Sequence, residues 1–388
     1  LYAVPKQPEE YYNLQSAIEA AMPAGASYSP PTAGENQQAV QLTDLDGDGE
    51  DEAIVYLKTT GDLPLAVYVF DKQGECFSFV SKVEGSGSRQ INGQVLQLLN
   101  VYALRDGTLT ELMNAVYSEF ITIDLNGSGM QDIFVIRSDG DMQKEIVELY
   151  SWEDGQLFKE REVSSSANVT TVKRIITGNV TQDVPAVFVS SELDEEHIIT
   201  DIYAYNYGIF ENLTRSEQTN TSVQTLRNYN VYSCDIDGDG LIELPRIVPL
   251  REIEGDDGTK DQSLIEWYNL DVDGQETDKL LTYHNYAGGW YLEIPEDWVG
   301  QLTISRTDRA VGQREVIFSR WKGEGKEPER FLAIYKLTGP NRSAWASTTN
   351  RFILQEDDDT IYAATLLNAS WDCGVDEAGL RGRFHLIG

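Results

Sequence analysis

Residues 44–57 read DLDGDGEDEAIVYL, and the pattern returns as DLNGSGMQDIFVI from Asp124 and as DIDGDGLIELPRI from Asp235. Each copy is an acidic, glycine-punctuated loop that runs into a short β-rich segment. In the first, Asp44, Asp46 and Asp48 stand at alternate positions, so three side chains can turn toward one point. The main-chain carbonyl of Glu50 and the carboxylate of Glu52 would complete the set. Calcium takes roughly six to eight oxygens in a flexible shell, which is what such a loop offers. The third copy matches with Asp235, Asp237, Asp239, the carbonyl of Leu241 and Glu243. The second offers Asp124, Asn126, Ser128, the carbonyl of Met130 and Asp132. It carries two charged ligand side chains against four, and ranks as the weakest site.

An EF-hand needs a bidentate Glu at position twelve and an exiting helix. Position twelve here is Val55, Val135 or Arg246, and the exits AIVYL, IFVI and LPRIV read as strands, the last with Pro245. A turn rich in Asp and Gly requires no metal, but three recurrences at one spacing of ligands favour the metal site.

These loops resemble the FG-GAP or VCBS-type repeats of calcium-binding β-propellers, a kind also found in the head of integrin α-chains. The family pattern, DxDxDGxxD/E before a hydrophobic strand, is met at Asp44 and Asp235 and loosely at Asp124; the resemblance covers about residues 38–285. It implies a propeller with calcium in surface loops of its blades and an extracellular setting. No particular ligand follows from it, because the fold hosts binders and enzymes alike.

The chain has 388 residues and a formal net charge of −34, with 41% hydrophobic residues and 20 Tyr. That is ample for packed cores, so global disorder is excluded. A surface this acidic repels phosphate backbones and anionic lipid, which argues against nucleic-acid and membrane-surface partners. No apolar run is long enough for a transmembrane helix. Three cysteines, Cys76, Cys234 and Cys373, make no disulfide framework and read as buried free thiols. The sequence begins at Leu1 without Met or a leader, which reads as a mature or trimmed chain, exported or anchored at the cell surface as a lipoprotein.

Along the chain, residues 8–22 are expected to be helical: Pro8 opens the turn, and Tyr11, Leu14, Ile18, Ala21 and Met22 share one face. Hairpin patterns follow at AVYVFDKQGECFSF, NVYALRDGTLTEL, VELYSWEDGQLFKE, DIYAYNYGIFENL and IEWYNLDVDGQETDKLL. They suit the outer strands of about five blades. A degenerate fourth loop, GNVTQDVPAVFV from Gly178, lies about midway between Asp124 and Asp235 and has lost its ligands but kept its strand. The hairpin NVYALRDGTLTEL follows its predecessor too closely for two inner strands, which points to a truncated blade or a stretch missing near Arg89. Beyond residue 286 the acidic repeats cease, and LTISR, REVIFSRW, RFLAIYKL, RFILQ and TIYAATL read as an antiparallel sheet with a short helix near Asp376–Arg381.

The expected architecture is therefore mainly β: an N-terminal helix and linker (1–37), a β-propeller of about five blades (38–285), and a small C-terminal α+β domain (286–388). Isolated His197, His284 and His385, with no HExxH, CxxC or GxSxG, assign no reaction and no catalytic residue. His284, in YHNYAGGWY, is expected as a partly exposed strand residue rather than a pocket residue. WYLEIPEDW is a candidate sugar platform, but aromatic strand residues more often fill cores. The expected function is a calcium-stabilised, monomeric, non-catalytic binding or scaffolding module for a protein or glycan ligand. The alternative is a propeller enzyme acting on polysaccharide.

Overall fold

Alternating apolar and polar residues about Gly and Asp turns build this chain almost wholly from antiparallel hairpins. A computed structural model describes residues 9–34, 36–91, 94–138, 145–228, 231–251, 263–348 and 350–387. It is mainly β, with 54% strand and 9% helix, and its described sheets form no closed barrel. Pro8, the expected helix opener, lies outside the described residues. The chain divides into two compact units, Leu1–Ser164 and Ser165–Gly388.

The first unit opens with helix α1 (Glu9–Ala21) and carries three sheets. Sheet one contains β1 (Ser27–Tyr28), β2 (Val40–Thr43), β3 (Glu52–Lys58), β4 (Leu65–Gln73) and β5 (Cys76–Gly85). Sheet two is β6 (Ser88–Ile91), β7 (Gln94–Arg105) and β8 (Thr108–Tyr117). Sheet three is β9 (Glu119–Ile123), β10 (Asp132–Ser138), β11 (Glu145–Glu153) and β12 (Gln156–Ser164).

In the second unit, sheet four runs β13 (Thr171–Thr181), β14 (Val184–Glu192), β15 (Ile198–Asn206) and β16 (Ile209–Asn212). Sheet five holds β17 (Leu244–Pro249), β18 (Ser263–Leu270), β19 (Glu276–Asn285) and β20 (Trp290–Glu293). Sheet six holds β21 (Leu302–Ala310), β22 (Gln313–Arg320), β23 (Glu329–Thr338), β24 (Phe352–Glu356) and β25 (Thr360–Leu366), with α2 (Arg342–Ala346) and α3 (Glu377–Arg383) beside it. The last strand, β26 (Phe384–Leu386), returns to sheet five and pairs with β20.

The expected boundary at 285/286 is crossed by sheet five, because β19 ends at Asn285 while its neighbour β20, and β26 paired to β20, lie beyond it. One apolar core joins the two sides, placing Leu264 and Tyr283 with Trp290, Trp298, Leu302, Phe318, Phe331 and Phe384. The C-terminal strands therefore belong to the same compact unit as residues 165–285. Trp290 and Trp298 are each 1% exposed, so the WYLEIPEDW stretch fills this core and presents no sugar platform.

Successive sheets share cores elsewhere too. Met113 and Ala115 of sheet two pack with Ile133, Val135 and Leu157 of sheet three. Ala186, Phe188, Ile202 and Ala204 of sheet four pack with Leu244, Tyr268 and Leu270 of sheet five. Strands covered on both faces read as unbroken apolar runs, as Ile133–Ile136 do, each at most 7% exposed. Between sheets one and two the packing is looser: a cavity of about 500 Å³ is lined by Ile54, Tyr56, Val67, Leu98, Tyr102 and Phe120. Sheet two has three described strands, and this is where the hairpin spacing left no room for more.

Helix α1 docks through Leu14 and Ile18 onto Ala53, Val55 and Leu57, whereas Tyr11, expected on that face, is 55% exposed. The thiols are free as expected, but Cys76 is exposed and the other two are half-buried.

The degenerate loop became a tight hairpin between β13 and β14, with Thr181 opposite Val184 and Asp183 at a φ of 70°. Its first strand lies against the third acidic loop: Ile242 N donates to Asn179 O at 3.0 Å. A Cβ on Gly178 would overlap the Ile242 side chain. Gly178→Ala is expected to cost about 1–3 kcal/mol of unfolding free energy in urea titrations. Combined with Ile242→Ala it should cost less than the two single losses together. Strict additivity would show that this contact does not limit the site.

Candidate metal centres

Each acidic stretch is a hairpin loop with strand pairing on both sides. Thr43 pairs with Glu52, Ile123 with Asp132, and Cys234 with Glu243. The entering segments VQLT, EFITI and the Cys234 bridge went unrecognised in the sequence because each is short. The carboxylate at position nine starts the outgoing strand in the first two loops and immediately precedes it in the third, and in all three it turns back into the loop. Glu52 Oε2 accepts the Leu45 N–H at 2.7 Å, Asp132 Oδ2 that of Leu125 at 3.1 Å, and Glu243 Oε2 that of Ile236 at 3.0 Å. These carboxylates are at most 1% exposed.

The first Asp organises the turn. Asp44 Oδ1 and Oδ2 accept Gly47 N and Gly49 N at 2.7 and 3.0 Å, and Asp235 repeats both bonds with Gly238 and Gly240 at the same distances. Glycines at positions four and six all have positive φ, from 69° to 92°, a conformation in which a Cβ is strained. The position-five side chain accepts the N–H at position seven: Asp48 from Glu50 at 2.8 Å, Asp239 from Leu241 at 2.9 Å, and Ser128 from Met130 at 3.3 Å.

Two loops bring three carboxylates together. Ligand oxygens of Asp44, Asp46 and Asp48 lie within 4.8 Å of one another, as do those of Asp235, Asp237 and Asp239, and either triad could hold a metal ion. The second loop offers an amide and a hydroxyl at those positions. There Asp132 Oδ1 is taken up by Asn126 Nδ2 at 3.4 Å, so that loop is satisfied from within.

The electrostatics separate loops one and three. Burial raises the Glu52 pKa, and the charges of Asp46, Asp48 and Asp44 push it the same way against the Leu45 N–H. Its Oε1 is buried without a hydrogen-bond partner among the described residues. An ionised oxygen in that position lacks a counter-charge, and a cation held by the triad would supply one. Glu243 is also raised by burial, but its Oε1 accepts Asn269 Nδ2 at 2.8 Å. Loop three further receives Lys279 of β19, which holds the Asp239 pKa below the usual carboxylate range by donating to it. Neither Asn269 nor Lys279 carries a motif; both arrive from strands of sheet five.

His284 belongs to a separate aromatic stack. Its ring lies 4.8 Å from Tyr291 at 8°, and Tyr291 lies 4.8 Å from His385 at 16°. Both ring nitrogens of His284 are buried without partners among the described residues, and burial pushes its pKa down to about 4. It is half-buried and neutral near pH 7.

No family model matches this chain, and no curated protein does. Among solved structures, an exotype rhamnogalacturonan lyase, YesX, is similar at a TM-score of 0.27 and 13% identity over 79% of this chain. The chain spans 56% of that lyase's length. A likeness this slight carries neither fold nor activity across.

Two outcomes follow from these charges. Glu52→Gln removes a carboxylate disfavoured by burial and by three neighbours, so in chelating buffer the variant should melt no lower than the parent; a marked loss would mean the charge is already compensated. For His284, the unfolded ring takes a proton below its ordinary value of 6.5 while the folded ring waits until about 4. Stability should therefore fall by up to about 3 kcal/mol as pH drops across that window. His284→Phe should remove that part of the slope in denaturant titrations.

Proposed function

We propose that this protein is a calcium-stabilised β-propeller of the FG-GAP or VCBS type, acting outside the cell as a non-catalytic binding or scaffolding module. The buried, unpartnered Oε1 of Glu52 beside the converged Asp44, Asp46 and Asp48 carries the calcium reading. The donor set is all oxygen, the preference of a hard cation. Asp44, Asp46, Asp48 and Glu52, with the Glu50 carbonyl, would hold the ion in loop one, and loop three has the corresponding set.

Consecutive antiparallel sheets sharing cores, three of them entered through the same acidic hairpin, support the reading of sheets as blades. An extracellular setting fits because modules of this kind bind calcium at about 0.1–1 mM, a concentration met outside cells. Calcium's part is structural: it neutralises carboxylates that the fold gathers and adds stability by binding the folded chain alone. The acidic surface left over suits a protein or neutral glycan ligand and disfavours nucleic acid. Among the described residues no helix is long and apolar enough to cross a membrane.

Calorimetric titration of chelator-stripped protein with calcium tests this reading. Saturable heat, with the loop-one part of it lost in Asp44→Ala and in Asp46→Asn, is the expected result. At free calcium tenfold above the dissociation constant, each site should add about 1.4 kcal/mol and raise the melting temperature. No heat, together with identical melting in chelator and in calcium, would reduce the acidic loops to turns.

A further inference from the structure

The loops compensate the same crowding of carboxylates in different ways. In loop three, Asp239 gives its Oδ1 to the Leu241 N–H at 2.9 Å, which leaves Oδ2 for a cation, and Lys279 Nζ sits 2.5 Å from that Oδ2. Asp237 likewise gives Oδ1 to the Asp239 N–H at 3.2 Å, and its Oδ2 lies 3.9 Å from the same Nζ. The ammonium thus stands over the two oxygens that the loop would offer a metal.

Its strand fixes this placement. β19 pairs with β18 on one side and β20 on the other, and the Lys279 side chain is only 23% exposed. On the opposite wall Asn269 and the Ile236 N–H satisfy both oxygens of Glu243. Loop one has the same internal bonds, with Asp46 Oδ1 accepting Asp48 N and Asp48 Oδ1 accepting Glu50 N. Arg105 lines the cavity beside Asp46 and Asp48 but donates to the Gly155 carbonyl, and among the described residues Glu52 Oε1 has no partner.

We propose that Lys279 is the resident cation of loop three: its ammonium neutralises Asp237 and Asp239 without metal, and calcium enters only by displacing it. Loop one is then the high-affinity calcium site, and Lys279 sets loop three to a weaker one. The proposal rests on the calcium reading of loop one. Two cations sharing a pair of carboxylates repel strongly enough, even at the dielectric of water, to weaken binding by about tenfold or more.

The test is calcium calorimetry on the full chain, with Asp46→Asn silencing loop one so that the remaining heat reports loop three. In that background Lys279→Met should tighten loop three by about tenfold or more, while Lys279→Arg, which keeps the charge, should not. In chelator the Lys279→Met protein should melt below wild type, or fail to stay folded after refolding in calcium, and saturating calcium should close or reverse the gap. Unchanged loop-three affinity in Lys279→Met, while loop one still binds in the wild type, overturns this proposal alone. Equal affinities for loops one and three in the wild type would do the same. Absence of calcium heat from loop one in the wild type defeats the calcium reading, and this proposal with it.

Discussion

A buried carboxylate that faces backwards governs the acidic hairpins. Glu52 and Asp132 each open a strand and Glu243 stands just before one, yet each accepts the N–H of the second loop residue, Leu45, Leu125 or Ile236. That bond closes the loop across its own neck, opposite the pairs Thr43–Glu52, Ile123–Asp132 and Cys234–Glu243. Taking a carboxylate out of water is costly unless it is bonded or paired. The loop therefore has to keep its shape, and the strand has to start where it does. The glycines at positions four and six follow from this closure, because the backbone must reach the first Asp through positive φ.

What remains is charge, and the three loops meet it by different means. The second replaces two carboxylates by Asn126 and Ser128 and turns the amide onto Asp132. The third borrows an ammonium from Lys279 and an amide from Asn269. The first does neither, and its Glu52 is left with an oxygen that nothing among the described residues satisfies. The same backbone motif thus ranges from carboxylates satisfied within the loop to a carboxylate with no partner among the described residues, and the difference lies in side chains, some contributed by neighbouring strands, rather than in the loop's own glycines.

Packing between sheets sets the other constraint. Strands such as β10, β14 and β15 are covered on both faces, so their burial is nearly continuous. At the contact between β13 and loop three Asn179 bridges to Leu241, and a Cβ at 178 would overlap the Ile242 side chain. Gly178 in the degenerate hairpin serves this packing, since its close neighbour is an apolar side chain. His284 shows the cost of such packing: its ring fills a stack with Tyr291 at the expense of two unsatisfied nitrogens.

The sequence by itself determined the local structure. Alternation about Gly and Asp marked the five hairpins, Leu14 and Ile18 marked the buried stripe of α1, and Asp376 marked the start of α3, where its side chain accepts the Gly379 N–H at 2.8 Å. It also located the acidic loops, because alternate carboxylates and turn glycines act over a few residues and leave their imprint in composition. Only the tertiary structure decided what those loops lack or possess. Lys279 stands forty residues from Asp239 and is bonded to it, and β26 joins β20 from nearly a hundred residues away, across the boundary that the change in composition had suggested. Sequence periodicity reports which face of an element is buried. It does not report which distant element lies against it, and the counter-charge of a buried carboxylate comes from that neighbour.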